Sequence, residues 1–496
     1  MASIEELRNA RLKKIELLTE QGMNPYPSAV SRDYSILEVK NSFESLVSQS
    51  ESNNISITGR VMIIRGQGAI LFIVLQEAQA KIQAVLKKDE LSAEVFDLFV
   101  ATVDNGDFIS VTGSLFVTQR GEQSILIKDW AMASKALLPL PDKFHGLQDA
   151  EEKFRKRYLD ILDNEAVYNI FITRSKVITY IREFLNKKHF LEVETPILQN
   201  QAGGAMAKVF ETYHNDFDMP MVLRIAVELD HKMIMAGGYE RIYEIGKMFR
   251  NEGSDPTHIQ EFTMLEWYAA YQTLETNISW TEELVRSLAK DVIGKTNFTV
   301  YDKEGNTTEV NFDGVWPKIE FKELLKDNAG IDITTITLAE ARIEATKWGM
   351  AEEETKGMSR GNLLDHIYKK SSRIKIIDPT FVINFPGDLK PLAQQNLDGT
   401  ARVAQLIIAG AEITNQYAEL VDPILQRELL VLQSNAKDAG DTETMDVDDR
   451  FLTAMEHGMP PMTGFGMGID RIVAVLTEQK NLRDVVFFPI MKPKEN

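Results

Sequence analysis

The 496-residue chain has no cysteine. A disulfide framework, a thiolate zinc site, an iron–sulfur cluster and a cysteine nucleophile are therefore excluded, and a reducing compartment is the natural setting. No stretch approaches the roughly 18 apolar residues of a membrane span. Glu5, Glu6, Arg8, Arg11, Lys13 and Lys14 occupy the place where a secretory leader needs an apolar core, so a cytoplasmic protein free of the membrane is expected. The seven histidines form no HExxH or other ligand spacing, and no GxxxxGK[ST] phosphate loop is present. Positive charge is in deficit: 55 basic against 74 acidic residues give a net charge of −19. That balance disfavours broad, non-specific nucleic-acid binding but leaves room for local basic surface that holds RNA. What remains is a globular composition, 44% apolar and 26% charged, long enough for two to four domains.

Apolar residues recur at helical spacing from Ile4 to about Glu20 and stop at Gly22, Pro25 and Pro27, predicting one amphipathic helix. A polar stretch, Ser42 to Asn54, follows. From Ile55 to about Ala133 the runs ISITGRVMII, ILFIVLQ, KIQAVL, FISVTGSLFV and QSILIKDWAM are short and β-branched, with one helical interval near Ser92–Val100. Five short strands and a helix fit a small oligonucleotide-binding (OB) type β-barrel. Pro139–Pro141 and the charged run Glu151–Leu162 mark a linker, after which a helix is expected at about Asn164–Lys188. Beyond it helices and strands mix without a βαβ rhythm, which favours an α+β domain on a largely antiparallel sheet. The expected divisions are 1–54 (N-terminal helix and linker), 55–140 (barrel), 141–163 (linker) and 164–496 (second domain), with an acidic helical insertion at about 272–372.

Arg241–Arg250 and Phe262–Tyr271 read as a hairpin. Residues two apart on a strand share a face, so Arg250 and Glu252 sit together, as do Phe262, Met264, Glu266 and Tyr268. If the strands pair, these side chains line one floor suited to a substrate with phosphate, an amine and a flat base. A salt-bridged solvent face is the competing reading. Asn415, Tyr417 and Glu419 alternate in the same way, and an ordinary polar edge strand would look alike. Gly464, Gly466 and Gly468 are spaced GxGxG and precede Arg471 at a helix start. They permit close backbone approach beside a positive charge, or serve helix packing.

In this order the segments resemble class II lysyl-tRNA synthetases over essentially the whole chain. Phe190-Leu-Glu-Val-Glu-Thr-Pro196 resembles that family's motif 1. Gly203–Ala205, Thr212–Asn215 and Arg224–Lys232 resemble the segments that follow. Phe249–Gly253 with His258–Tyr268 resembles motif 2, and Asp378–Phe381, Glu412–Pro423, Gly458–Pro461 and Gly464–Arg471 resemble the stretch ending in motif 3. The resemblance implies an OB-fold anticodon-binding barrel followed by a class II catalytic domain on an antiparallel sheet flanked by helices. It implies a lysine–tRNA ligase that converts lysine and ATP to lysyl-adenylate and transfers the lysyl group to the 3′ end of tRNA(Lys), with Mg²⁺, as a homodimer.

By position, Arg250, Glu252 and Arg471 would be the catalytic set. ATP would meet Arg250, Glu252, the loop around His258, Phe262, Glu412, Gly468 and Arg471. For lysine, Gly204 and Glu228 would meet the α-amino group, while Arg250 and Asn415 would meet the carboxylate. Tyr268 and Glu419 would take the side-chain ammonium, with Glu266 and Tyr417 lining the pocket. Arg65, Phe72 and Gln83 would face the anticodon, Phe72 being a core residue on the alternative reading. Glu412 would hold the metal; seven residues before it, where the family usually carries an acid, stands Gln405. Ile259 with Gln260, Val227 and Arg65-Gly-Gln-Gly-Ala69 also depart from the usual pattern. Two other readings are a lysyl ligase acting on protein, whose relatives generally lack the barrel, and a weakened regulatory paralogue, favoured by Gln405 alone.

Overall fold

The computed structural model describes residues 3–66, 68–141, 149–201, 203–302, 304–438 and 447–494. Part of the expected linker, 142–148, lies outside them. The chain forms two compact units, Met1–Glu165 and Ala166–Asn496.

In the first unit, α1 (Ile4–Glu20) starts at a capping box formed by Ser3 and Glu6, and α2 (Ile36–Asn41) at one formed by Ser35 and Glu38. A third helix, α3 (Phe43–Ser52), occupies the stretch read as polar. Its Phe43 and Leu46 lie three apart and join Ile36 and Val39 of α2 in the barrel core, which is why so polar a run is helical. Five strands follow: β1 (Ile55–Arg65), β2 (Ile70–Glu77), β3 (Ala80–Lys87), β4 (Phe108–Val117) and β5 (Gln123–Ser134), with α4 (Ala93–Thr102) between β3 and β4. They close into a barrel in the order β1-β2-β3-β5-β4. Buried Lys135 pairs with Asp104 at 2.6 Å and Asp107 at 2.7 Å, and Arg11 of α1 donates to the carbonyls of Asn105, Ala136 and Leu138. The charged run after the barrel forms α5 (Ala150–Arg155) and α6 (Arg157–Asp163).

The second unit opens with α7 (Glu165–Lys187) and the short β6 (Leu191–Glu192). A small sheet of β7 (Leu198–Gln199), β8 (Glu211–His214) and β9 (Met219–Leu223) precedes α8 (Glu228–Ala236). The hairpin β10 (Arg241–Phe249) and β11 (Glu261–Ala270) leads into α9 (Leu274–Ser287). The stretch expected to be a helical insertion is mixed. It holds the hairpin β12 (Asn297–Tyr301) and β13 (Thr307–Asn311), the edge strand β14 (Lys318–Glu320), and α10 (Phe321–Ala329), α11 (Leu338–Lys347), α12 (Glu352–Gly357) and α13 (Arg360–Ser371). Then come β15 (Thr380–Pro386), β16 (Thr400–Ile408), β17 (Ala411–Ala418), α14 (Pro423–Asp438), α15 (Asp449–Glu456), β18 (Met462–Gly468) and α16 (Ile469–Leu476).

One eight-stranded sheet organises this unit, in the order β14-β15-β16-β17-β18-β11-β10-β6, antiparallel except at its two edge pairs. Its two faces differ. Leu265, Trp267 and Phe465 pack against Val177, Ile181 and Phe184 of α7 in the main core, with Trp267 and Phe465 stacked at 3.5 Å between centroids. The alternate residues of the same strands point the other way, and that face carries the site.

Candidate active site

The site is built on β11, β18 and β17, three adjacent strands. In register, Met264, Glu266 and Tyr268 of β11 stand opposite Gly468, Gly466 and Gly464 of β18, and Asn415 and Tyr417 of β17 flank Gly466 and Gly464 from the other side. The middle strand thus contributes no side chains between two rows of large ones. A trough results. A Cβ at Gly464 would lie 2.0 Å from Glu419 Oε1 and 2.6 Å from Tyr268 Cε1, and one at Gly466 would lie 3.2 Å from Met264 Cε. At Gly464 and Gly466 the spacing is therefore a steric requirement of the trough, whereas a Cβ at Gly468 would meet only Arg471 of the following helix, at ordinary contact distance. A cavity of about 440 Å³ opens above it.

One region of the cavity is cationic. Arg250 follows β10, and its backbone N–H donates to Gln260 O at 2.8 Å. Its guanidinium lies 5.1 Å from the centroid of Phe262 and makes only long contacts, 3.4 Å, to the Ile225 carbonyl. Burial lowers its pKa against the opposing pull of Glu252 and Glu266. Arg471, in the first turn of α16, donates to the Glu412 carbonyl at 2.9 Å and lies 3.4 Å from His258 Nε2. The neighbouring Asp470 seats that helix start: it accepts the Thr263 N–H at 2.8 Å and pairs with Arg174 at 2.6 Å. Neither Arg250 nor Arg471 is ion-paired to a carboxylate among the described residues. Glu252, His258, Phe262, Glu412 and Gly468 line the same cavity.

Another region is acidic and buried. Glu266 is buried, and desolvation together with the charge of Glu228 pushes its carboxyl up to about 8. Burial likewise raises Glu419 and carries the phenols of Tyr268 and Tyr417 well above their usual range. The Tyr268 hydroxyl donates to Glu266 at 3.4 Å, and Asn415 donates to the Tyr417 hydroxyl at 2.6 Å. Gly204, at φ +77°, approaches so closely that a Cβ there would lie 2.8 Å from Glu228 Cβ. Gln405 points its amide at Asn415, 3.5 Å away.

Glu419, expected with Tyr268 at the side-chain ammonium of lysine, has a protein partner in this structure. Its carboxylate is not an open wall of the cavity, because Oε2 lies 2.6 Å from the buried Lys232 Nζ, which also donates to Glu228 at 2.7 Å. Lys232 was missed, although Glu228 and Lys232 stand four apart on α8 in the favourable acid-first order. So was the anchor beneath them: Glu244 binds Arg224 at 2.6 Å, the Thr195 hydroxyl at 2.8 Å and His231 at 3.1 Å. These partners come from segments too far apart in sequence for spacing to reveal.

In the first unit, Arg65 and Phe72 face each other across β1 and β2, and Phe72 pairs with Val85, two residues from Gln83 on β3. All three side chains lie on the outer face of the barrel. Phe72 is 41% exposed, so it is not a core residue. Gln83 donates to the Ser124 hydroxyl at 2.9 Å.

Comparison with known proteins adds two family matches: the OB-fold nucleic acid binding domain over residues 55–132 and the tRNA synthetases class II (D, K and N) over residues 149–492. The chain is 39% identical to the lysine–tRNA ligase of Carboxydothermus hydrogenoformans, covering 99% of each sequence. It is 39% identical to that of Lactococcus lactis, covering 99% of this chain and all of the other. It is 38% identical to that of Prochlorococcus marinus, covering 99% and 97%.

Proposed function

The chain belongs to the class II (D, K and N) tRNA synthetases, and we propose on that premise that it joins lysine to ATP and then to the 3′ end of tRNA(Lys). The observation that carries the choice of lysine is the pairing of a cationic region with buried carboxylates and phenols in one trough. A substrate with two ammonium groups and a carboxylate matches it, since an ammonium can enter a dry pocket only against carboxylate.

In the first step a lysine carboxylate oxygen attacks the α-phosphorus of ATP, the bond to the bridging oxygen breaks, and pyrophosphate leaves with its electrons. Both reactants are anionic, so positioning and charge neutralisation are the main tasks and no general base is needed. Arg250 would bridge the α-phosphate and the lysine carboxylate, while Arg471 holds the nucleotide from its other side and Phe262 stacks on adenine. Glu228 and Gly204 would take the α-ammonium and Asn415 the carboxylate. Glu266, Tyr268 and Tyr417 would surround the side-chain ammonium. Glu419 would act from behind them, its charge shared with Lys232.

The proposal includes Mg²⁺, which Glu412 would hold, although the described residues contain no group of three or more His, Asp or Glu side chains placed to bind a metal. The Glu412 carboxylate makes no hydrogen bond or ion pair among the described residues, and the amides of Gln405 and Asn415 supply neutral oxygens, a set a hard cation accepts when it keeps water and phosphate ligands. Bound there, the ion would neutralise phosphate charge. Arg65, Phe72 and Gln83 would receive the anticodon, Phe72 stacking on an unpaired base. The reading carries a cytoplasmic location; no described helix is long and apolar enough to cross a membrane. It also carries a homodimer through the motif 1 region, where Leu191, Ile197 and Leu198 stand exposed on the single chain.

The test is amino-acid-dependent ATP–pyrophosphate exchange without tRNA, over a magnesium titration. Exchange with lysine alone, abolished in a folded Arg250→Ala variant, is the expected result. Silence at every magnesium level would overturn the proposal in favour of a non-catalytic paralogue.

A further inference from the structure

The ammonium of Lys232 is wholly buried between two carboxylates and a ring. It donates to Glu228 Oε1 at 2.7 Å, lies 2.6 Å from Glu419 Oε2, and sits 5.8 Å from the ring centroid of Phe451 on α15. Burial opposes its charge, yet Glu228 and Glu419 outweigh burial and raise its pKa above the ordinary lysine value, so it stays an ammonium. The two acids it joins stand at different places in the site. Glu228 lines the cavity beside Gly204, and Glu419 stands with Tyr268 against Gly464.

The backbones under this bridge are fixed separately. Glu228 and Lys232 lie one turn apart on α8, where the helix sets their approach. Glu419 follows β17, and its N–H donates to Met462 O at 3.0 Å while the next N–H, of Leu420, donates to Leu392 O at 3.1 Å. What remains free is the torsions of two glutamate side chains, and one ammonium touching both carboxylates locks them two hydrogen bonds apart. The other oxygen of Glu419, Oε1, is buried and makes no hydrogen bond among the described residues. A buried acceptor left open is costly until a donor arrives. The bridge thus holds one oxygen of Glu419 and leaves the other for a substrate ammonium.

Lysine brings two ammonium groups, one for each of these acids. Ornithine, one methylene shorter, carries the same charges at a smaller separation. Charge alone cannot tell the two apart, whereas a fixed distance between the acids can.

We propose that Lys232 is a positioning residue that fixes the spacing of Glu228 and Glu419 and thereby selects the length of the diamino acid. The proposal rests on the pocket being the lysine site, and the test separates the two. The full-length protein and its Lys232→Arg and Lys232→Met variants are compared in ATP–pyrophosphate exchange, with lysine, with ornithine and over a range of ATP concentration. Arginine keeps the positive charge but meets the two acids through a planar fork, at a different separation. Methionine keeps most of the stem and removes the bridge; the acids then take up a proton rather than face each other bare in a buried site. Thermal melting reports which variants fold, and either one suffices.

The parent is expected to favour lysine over ornithine in kcat/KM. In a folded variant that preference should fall about tenfold or more through a higher KM for lysine, while kcat with lysine and the KM for ATP stay within about twofold. A role in folding alone would lower kcat for both amino acids together and leave the preference intact, and that result would overturn the proposal. Tighter use of both amino acids by Lys232→Met would overturn it as well, by showing that Lys232 only repels the substrate. If the unaltered protein shows no exchange with lysine, the reading of the pocket falls and the proposal with it.

Discussion

At the scale of single residues, the chemistry turns on what burial does to carboxylates. Glu266 has a folded-state pKa of about 8 against an ordinary value of 4.5. Between those values the folded chain holds a proton that the unfolded chain has released. Its contribution to stability is therefore fully present below about pH 4.5 and is lost as pH rises through 8. An ammonium placed against the carboxyl favours the ionised form, so lysine should expel a proton on binding at pH 7. Calorimetry of lysine binding in buffers of different ionisation enthalpy is expected to show that release. Glu266→Gln should reduce it, weaken lysine binding, and raise the melting temperature relative to the parent at pH 8 more than at pH 5. Equal melting shifts at the two pH values would remove Glu266 as the origin. The face that Glu266 shares with Phe262, Met264 and Tyr268 was legible in the sequence, because alternation along a strand is a local rule. Its raised pKa was not, since burial, which is a product of the whole fold, and the charge of Glu228 on a different element drive it up against a backbone hydrogen bond from Val227 that pulls it down.

At the scale of elements, β18 decides the shape of the site by what it omits. Glycine at 464 opens the space that Tyr268 and Glu419 occupy, and glycine at 466 makes room for Met264. The spacing was visible from the start, but its purpose was not: a GxGxG run says only that a backbone is approached, and the strand order β17-β18-β11 says by what. Gly464→Ala puts a methyl within contact-forbidden distance of Glu419 and Tyr268, and an overpacked core position typically costs about 1–3 kcal/mol. The strain falls on Glu419 and Tyr268, the residues proposed to serve the side-chain ammonium of lysine. In exchange kinetics the KM for lysine should rise about tenfold while that for ATP stays within about twofold. A parallel rise in both would mean that the whole sheet had shifted. The helix α8 shows the converse limit of sequence reading. Its Glu228 was identified, yet Lys232, one turn on, matters because Glu419, just past the end of β17, is brought to it from far along the chain.

At the scale of the whole molecule, two separate cores support two separate tasks. The barrel core closes around Ile57, Ile73 and Ile125, and the catalytic core lies behind the sheet around Trp267 and Phe465. On the proposed function adenylate formation would need only the second, and with a net charge of −19 RNA recognition would fall to local surface such as the outer barrel face. Phe72 lies on that face and contributes nothing to either core, so its truncation divides the two tasks. Stacking on an unpaired base is worth about 1–3 kcal/mol. Phe72→Ala should therefore raise the KM for tRNA about tenfold or more in aminoacylation, while lysine-dependent exchange without tRNA and the melting temperature stay at parental values. The loss should persist across salt concentrations, because a stacking contact releases few counter-ions, whereas Arg65→Ala should weaken tRNA binding more at low salt than at high. Equal loss of exchange and charging in Phe72→Ala would show that the ring supports the fold, and the anticodon surface would then have to lie elsewhere on the barrel.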